Sequence, residues 1–172
     1  MIHDGRNDFG GYLEDFQPGD VFKHWPGKTI TAMDNHLFTL LTMNTNPLHF
    51  DENYMKDHPH GKILVNGMLV FSLVVGISVR DTSGKAIANL EYENATHDGP
   101  TFEGDTIYAE SEILDVRVSR SRRDRGIVYM ESRGINQRGE QVLTLRRRFL
   151  VGKRPVQSES VSALSDASVS DD

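Results

Sequence analysis

One stretch limits what this chain can become. Residues 63–79 read Ile-Leu-Val-Asn-Gly-Met-Leu-Val-Phe-Ser-Leu-Val-Val-Gly-Ile-Ser-Val, the longest apolar run in the sequence. It is well over the length of an ordinary strand and falls short of the roughly 20 residues that cross a bilayer, so it predicts a central buried helix. A helix apolar nearly all round must be covered on most sides. Asn66-Gly67 opens it. The first N–H groups of a helix have no partner within it, and the Gly67 amide, with no side chain over it, is open to a developing oxyanion. The plainer alternative is an N-cap by Asn66 with no chemical role.

Beyond Gly84 the pattern becomes strand-like. Segments 86–96, 106–118, 127–137 and 141–151 are parted by turns at Asp98-Gly99-Pro100, Arg123-Asp124-Arg125-Gly126 and Gln137-Arg138-Gly139-Glu140. Ile107, Ala109, Ser111 and Ile113 alternate with polar or exposed neighbours, as one buried face of a strand requires. Short connections between consecutive strands predict an antiparallel meander. Such a sheet, curled around the one long helix, supplies its cover. The fold class expected is α+β, a curled antiparallel sheet wrapped around a central helix.

Upstream, Phe9, Tyr12, Leu13 and Phe16 are scattered apolar anchors in a Gly- and Asp-rich arm, and residues 21–25 have the content of a short strand closed by Pro26-Gly27. Thr31 and Asp34 form a capping-box pattern with Asp in place of Glu. Leu37, Phe38, Leu40 and Leu41 then predict an apolar helical face. This helix delivers the chain to Asn44-Thr45-Asn46-Pro47-Leu48-His49. Pro47 fixes its own φ and pushes Asn46 out of the helical region, while Asn side chains bond back to nearby backbone, so a turn forms and His49 is held just beyond it. An imidazole fixed beside the carboxamide of Asn44 or Asn46 is a candidate general acid/base. The alternative is a simple helix stop with a satisfied, half-buried histidine.

With 172 residues, the chain is long enough for one domain, expected over 16–154, with an arm at 1–15 and a Ser- and Asp-rich tail at 155–172 too poor in apolar groups to order itself. It has no cysteine, which excludes thiol chemistry and Cys-ligated zinc. The N-terminus lacks the basic and apolar regions of a secretion signal, and these features together predict a soluble, cytoplasmic protein without a membrane partner. A net charge of −6 weighs against nucleic acid as a partner. His58 and His60 lack further ligands at a supportive spacing, so no metal is expected. Arg117, Arg120, Arg122, Arg123 and Arg125 straddle a predicted hairpin. They are either a solvated hairpin end or guanidiniums that suit a phosphate-bearing ligand. In Arg146-Arg147-Arg148, alternation sends Arg147 to the face opposite its neighbours.

The succession of Asn44-Thr45-Asn46-Pro47-Leu48-His49, then Val65-Asn66-Gly67-Met68-Leu69, then Pro100-Thr101-Phe102-Glu103-Gly104-Asp105-Thr106 resembles the MaoC-like dehydratases, which include the R-specific enoyl-CoA hydratases. The resemblance spans roughly residues 16–151. It implies a hot-dog fold, a homodimer or higher oligomer, a pantetheine tunnel between subunits, and addition of water to a 2-enoyl thioester, with coenzyme A entering as part of the substrate and no other cofactor. It also implies His49 as the catalytic histidine, Asn46 as the motif asparagine and Gly67 as the backbone donor to the thioester carbonyl, beside Asn66. Arg120, Arg122, Arg123 and Arg125 become candidates for the coenzyme A phosphates.

Two positions depart from the family pattern Asp-x-Asn-Pro-(aliphatic)-His followed by His-Gly-Met. Asn44 stands for the catalytic Asp, and Asn66 for the His. A carboxamide orients water but cannot take its proton. A substrate carrying its own carboxylate would be repelled by Asp and accepted by Asn. The expectation is therefore a short branched or dicarboxylic enoyl-CoA of the mesaconyl, methylmalyl or itaconyl type. A thioesterase and a catalytically impaired acyl-CoA binding protein are the alternatives.

Overall fold

The computed structural model describes residues 8–155. In chain order these form two short strands, β1 (Val21–Lys23) and β2 (Lys28–Thr29), then helix α1 (Ala32–Leu41), the single turn α2 (Glu52–Met55) and helix α3 (Gly67–Ser78). Four long strands follow: β3 (Ala86–His97), β4 (Thr106–Val118), β5 (Arg125–Asn136) and β6 (Gln141–Gly152). They make one six-stranded sheet in the order β1-β4-β5-β6-β3, with β2 also on β4 and every pairing antiparallel. α3 lies across β4, β5 and β6 on one face, giving the α+β hot-dog arrangement.

Alternation decides the faces. Ile107, Ala109, Leu143 and Leu145 point inward and pack with Leu69, Val70 and Val74 of α3. Fully burying each such aliphatic side chain is worth about 1.5–3 kcal/mol. The helix comes close because β5 has Gly134 beneath it: a Cβ there would stand 2.6 Å from Val74 Cγ2. α3 does not reach the rest of the inner face. A 3-10 turn at Leu13–Asp15 covers that part, with Leu13 and Phe16 joining Ile113, Val128, Met130, Phe149 and Val151 in a second cluster. Arg146 and Arg148 face outward, to Glu131 and Glu91, while Arg147 is fully buried on the inner face. Its guanidinium donates to Ser78 Oγ (2.9 Å) and Ser83 Oγ (3.1 Å) beside the C-terminus of α3, where the helix dipole favours a cation.

β1 is anchored by His24, just past its end. His24 Nδ1 lies 2.7 Å from Asp81 Oδ2 and Nε2 lies 2.9 Å from Ser111 Oγ, which in turn lies 2.7 Å from Ser132 Oγ. The network ties β1 and the segment after α3 to the sheet. Its serines are fully buried and already occupied.

Three expectations need correction. The four long strands are not a simple meander: β4, β5 and β6 are, but β3 pairs with β6 and not with β4. Residues 98–105 therefore carry the chain across the sheet end, leaving the free edge of β4 to β1 and β2. The apolar face of α1 is not turned to the core, since Leu37, Leu40 and Leu41 are exposed and the buried residues are Asn35 and Thr39. Phe38 alone of the predicted face packs against the core. Nor is α3 covered all round within one chain: Leu69, Val70, Val74 and Ser78 are buried, but Met68 is 55% exposed. The predicted tail beyond Pro155 and the first seven residues of the arm lie outside the described residues.

The Thr31–Asp34 capping box is present. Thr31 N–H donates to Asp34 Oδ2 (2.8 Å) and Asp34 N–H to Thr31 Oγ1 (3.2 Å), with Lys28 Nζ at 2.6 Å from the same carboxylate. Lys28 first, then the backbone and hydroxyl of Thr31, lower the Asp34 carboxyl from 3.8 to about 2. A depressed carboxyl contributes stability above its unfolded value and loses it as pH falls through its folded one. Thr31→Ala is expected to cost about 1 kcal/mol in urea unfolding at neutral pH. The stability gap between the unaltered chain and Asp34→Asn should shrink as pH falls from about 4 to about 2; a gap that stays constant over that range would count against the box.

Candidate active site

α1 ends in a left-handed residue. Met43 has φ 55°. Asn44 N–H donates to Thr39 O (3.0 Å) and Met43 N–H to Leu40 O (3.1 Å), the paired bonds of a Schellman cap built without glycine. A non-glycine residue there costs about 1–3 kcal/mol and persists only where the surroundings enforce it. The reversal delivers Asn44 to the turn. Asn44 Oδ1 accepts from Asn46 N–H (3.1 Å), and Asn46 Oδ1 accepts from Leu48 N–H (3.2 Å), capping the 3-10 turn Pro47–His49. Both carboxamide oxygens are thus used to make the turn. Among the described residues their Nδ2 groups have no partner and remain available as donors.

His49 is half-buried, and its Nδ1 lies 3.0 Å from Leu64 O. A carbonyl only accepts, so Nδ1 carries the proton and, in the neutral ring, Nε2 carries a free lone pair. The partner is well placed because Leu64 N–H donates to Leu48 O (3.0 Å) and Leu64 also bridges to Phe102. Two residues on, Asn66 begins α3. Its Oδ1 accepts from Met68 N–H (3.0 Å), and its Nδ2 donates to Thr39 Oγ1 (3.4 Å). The Asn66 side chain is buried and spent on capping, which makes it a positioning residue. The Gly67 N–H has no acceptor among the described residues and heads the 12-residue helix.

Asn35 joins these pieces, and sequence reading did not find it. Fully buried on α1, it donates from Nδ2 to His49 O (3.0 Å) and Leu64 O (3.3 Å), with Glu103 Oε1 at 3.2 Å, and accepts at Oδ1 from Asn66 N–H (2.9 Å). The histidine turn, its carbonyl partner and the helix start therefore share one side chain. Asn35 and Thr39 stand one helical turn apart, and that polar pair inside an apolar stretch was the available signal. The 100–105 turn is pinned by Asp105, which accepts from Phe102 N–H (2.9 Å), Gln137 Nε2 (2.8 Å) and Arg138 Nη1 (2.8 Å). Burial opposes its charge, but these donors together hold the carboxyl below its usual range. A cavity of about 410 Å³ opens beside this turn, lined by Glu52, Lys56, Lys62, Ile63, Phe102 and Glu103.

The other expected groups lie elsewhere. Arg120, Arg122 and Arg123 are exposed in the β4–β5 turn, and Arg125 opens β5 paired to Asp124 (2.9 Å). β4 has 13 residues, with the site at its Thr106 end and these arginines beyond its Val118 end. At about 3.3 Å per residue the two ends are about 40 Å apart along the strand. One chain does not bring the arginines to its own His49. His58 and His60 stack on each other with centroids 5.3 Å apart, and among the described residues no three His, Asp or Glu groups are placed to hold a metal ion.

The sequence profile of the MaoC like domain matches residues 15–133. Mesaconyl-CoA hydratase of Cereibacter sphaeroides is 30% identical over 149 residues, covering 87% of this chain and 43% of that protein. Beta-methylmalyl-CoA dehydratase of Chloroflexus aurantiacus is 32% identical over 145 residues, covering 84% of this chain and 41% of that protein. Among solved structures, a MaoC domain protein dehydratase of Chloroflexus aurantiacus J-10-fl superposes with a TM-score of 0.80 at 30% identity, over 95% of this chain and 45% of that one. This chain spans less than half the length of each of the three.

Replacing Asn35 by Ala strands the buried Asn66 N–H and the His49 carbonyl, and leaves Leu64 O with His49 Nδ1 alone. It is expected to cost about 1–3 kcal/mol in denaturant unfolding, whereas Leu37→Ala, on the exposed face of α1, should cost under about 0.5 kcal/mol. Equal losses would contradict the assignment of Asn35 as the buried tie.

Proposed function

The chain belongs to the MaoC-like domain family, and from that premise we propose that it is a hydro-lyase catalysing reversible hydration of a 2-enoyl-CoA thioester. The observation that carries this reading is the His49 Nδ1 contact with Leu64 O, which leaves Nε2 as a base at the mouth of an Asn-rich turn. His49 Nε2 takes a proton from water as its oxygen attacks the β-carbon. The unpartnered Nδ2 groups of Asn44 and Asn46 hold that water or a neighbouring acyl group. The electron pair of the double bond passes to the thioester oxygen, where the unpartnered Gly67 N–H and the start of α3 stabilise the enolate. Coenzyme A serves as the handle of the substrate, and the steps need no further cofactor.

The acyl group is proposed to be short and branched or dicarboxylic, of the mesaconyl, methylmalyl or itaconyl type. Two relatives carry the names mesaconyl-CoA hydratase and beta-methylmalyl-CoA dehydratase. Physical support comes from Asn44, whose free Nδ2 can donate to a substrate carboxylate where an Asp would repel it. The active unit is proposed to be a homodimer or higher homo-oligomer. Relatives more than twice as long leave room for a second unit of this size, and the chain exposes Leu37, Leu40 and Leu41 on α1 and Ile87, Leu90 and Tyr92 on β3. Any contact of Arg120, Arg122 and Arg123 with substrate phosphates would then come from the second copy.

His49→Ala should lower hydration of mesaconyl-CoA or crotonyl-CoA by about 10² to 10⁴, read as loss of enoyl-thioester absorbance, with no free thiol released. Thiol release by the unaltered chain would instead mark a thioesterase, and unchanged activity in His49→Ala would remove its role. Asn44→Asp should reduce turnover of mesaconyl-CoA while sparing crotonyl-CoA. An equal effect on both would sink the charge argument for the acyl group.

A further inference from the structure

His97 closes β3, and its imidazole rests on the first residue of α3. A Cβ built on Gly67 would stand 2.6 Å from both Cε1 and Nε2 of that ring, so glycine at 67 leaves the amide open and also makes room for the imidazole. Among the described residues no hydrogen bond or ion pair engages the ring. The adjacent Asp98 is turned to Gln141 Nε2 (3.0 Å) and Thr144 Oγ1 (2.6 Å). α3 contains no ionisable residue, and β6 sets Leu143 opposite His97. An unengaged, exposed proton carrier therefore sits against the residue whose amide is read as holding the thioester oxygen.

We propose that His97 is the acid that protonates the α-carbon during hydration. The proposal rests on the hydratase reading of His49 and Gly67. Addition of water needs a proton at that carbon; the carboxamides of Asn44 and Asn46 cannot give one, which leaves His97 and, once it has taken the proton of water, His49, and the His97 variants below distinguish the two. The α-carbon is two bonds from the oxygen proposed to bind at Gly67, and the His97 ring lies against that same residue. An O–H bond of water breaks, with its proton going to His49 Nε2, and a C–O bond forms at the β-carbon. The double-bond pair becomes the enolate at Gly67. The enolate then collapses, and a C–H bond forms at the α-carbon as the protonated His97 ring gives up its N–H proton. His49 ends protonated and His97 neutral, and one proton passing from the first to the second through solvent resets the site. Dehydration runs the same steps backwards.

The test is hydration of mesaconyl-CoA and crotonyl-CoA by the unaltered chain, His49→Ala, His97→Gln and His97→Phe, each across a pH series. His97→Phe keeps a ring against Gly67 and so separates packing from proton transfer. Both His97 variants are expected to lose about 10²-fold in kcat, with KM changed by less than about threefold. The fall in activity at high pH, where an acid must stay protonated, should be present in the unaltered chain and absent from both variants. A kcat within about threefold of the unaltered chain in either variant, or an unchanged high-pH limb, overturns the role of His97. Hydration lost in His49→Ala but kept in His97→Gln overturns this proposal alone. If the unaltered chain hydrates neither thioester, the hydratase reading fails and this proposal fails with it.

Discussion

The site depends on the need to satisfy buried backbone groups where three segments meet. The His49 turn, the strand-like residues before α3 and the first turn of α3 converge behind α1, and each brings partly or fully buried backbone groups that need partners. Asn35 satisfies them together, bonding the carbonyls of His49 and Leu64 and the N–H of Asn66. That fixes Leu64 O at the Nδ1 side of His49 and sets Gly67 at the head of the helix. A hydrophobic side chain at 35 could fill the space but could not set those relative positions. The geometry of the candidate site is thus a by-product of polar satisfaction at the junction of these segments.

The same constraint accounts for the unusual orientation of α1. Its buried side is Asn35 and Thr39, and its apolar residues Leu37, Leu40 and Leu41 are left facing outward. β3, at the sheet edge, exposes Ile87, Leu90 and Tyr92, and α3 exposes Met68. A fold that turns polar groups inward to build a site and apolar groups outward at an edge fits a unit completed by a second one. The proposed second copy would also cover the sides of α3 that its own sheet does not reach.

Much of this was legible in the sequence. The long apolar run marked α3, the alternation in β4 marked the buried sheet face, and Thr31–Asp34 and Asn46-Pro47 marked the local stops, because each is a short-range property of neighbouring residues. Arg147 was correctly sent to the opposite face from Arg146 and Arg148 by strand period alone. Non-local choices were not legible. Whether β3 joins β4 or β6 depends on how residues 98–105 cross the sheet end, and no local pattern encodes it. The apolar residues of α1 read as a core face because a sequence cannot say which side of an amphipathic helix meets its own sheet. Asn35 and His97 were missed for the same reason, since their meaning comes from partners at Leu64, Asn66 and Gly67 far along the chain.

Everything proposed for the site rests on Leu64 O fixing His49 in the tautomer with a proton on Nδ1 and a free pair on Nε2. The most direct measurement is ¹⁵N NMR of the histidine rings in the resting protein, with His49 assigned by comparison with His49→Ala. The expected result is a neutral His49 ring whose Nδ1 has the shift of a protonated nitrogen and whose Nε2 has that of a bare one. A neutral ring protonated at Nε2 would contradict it.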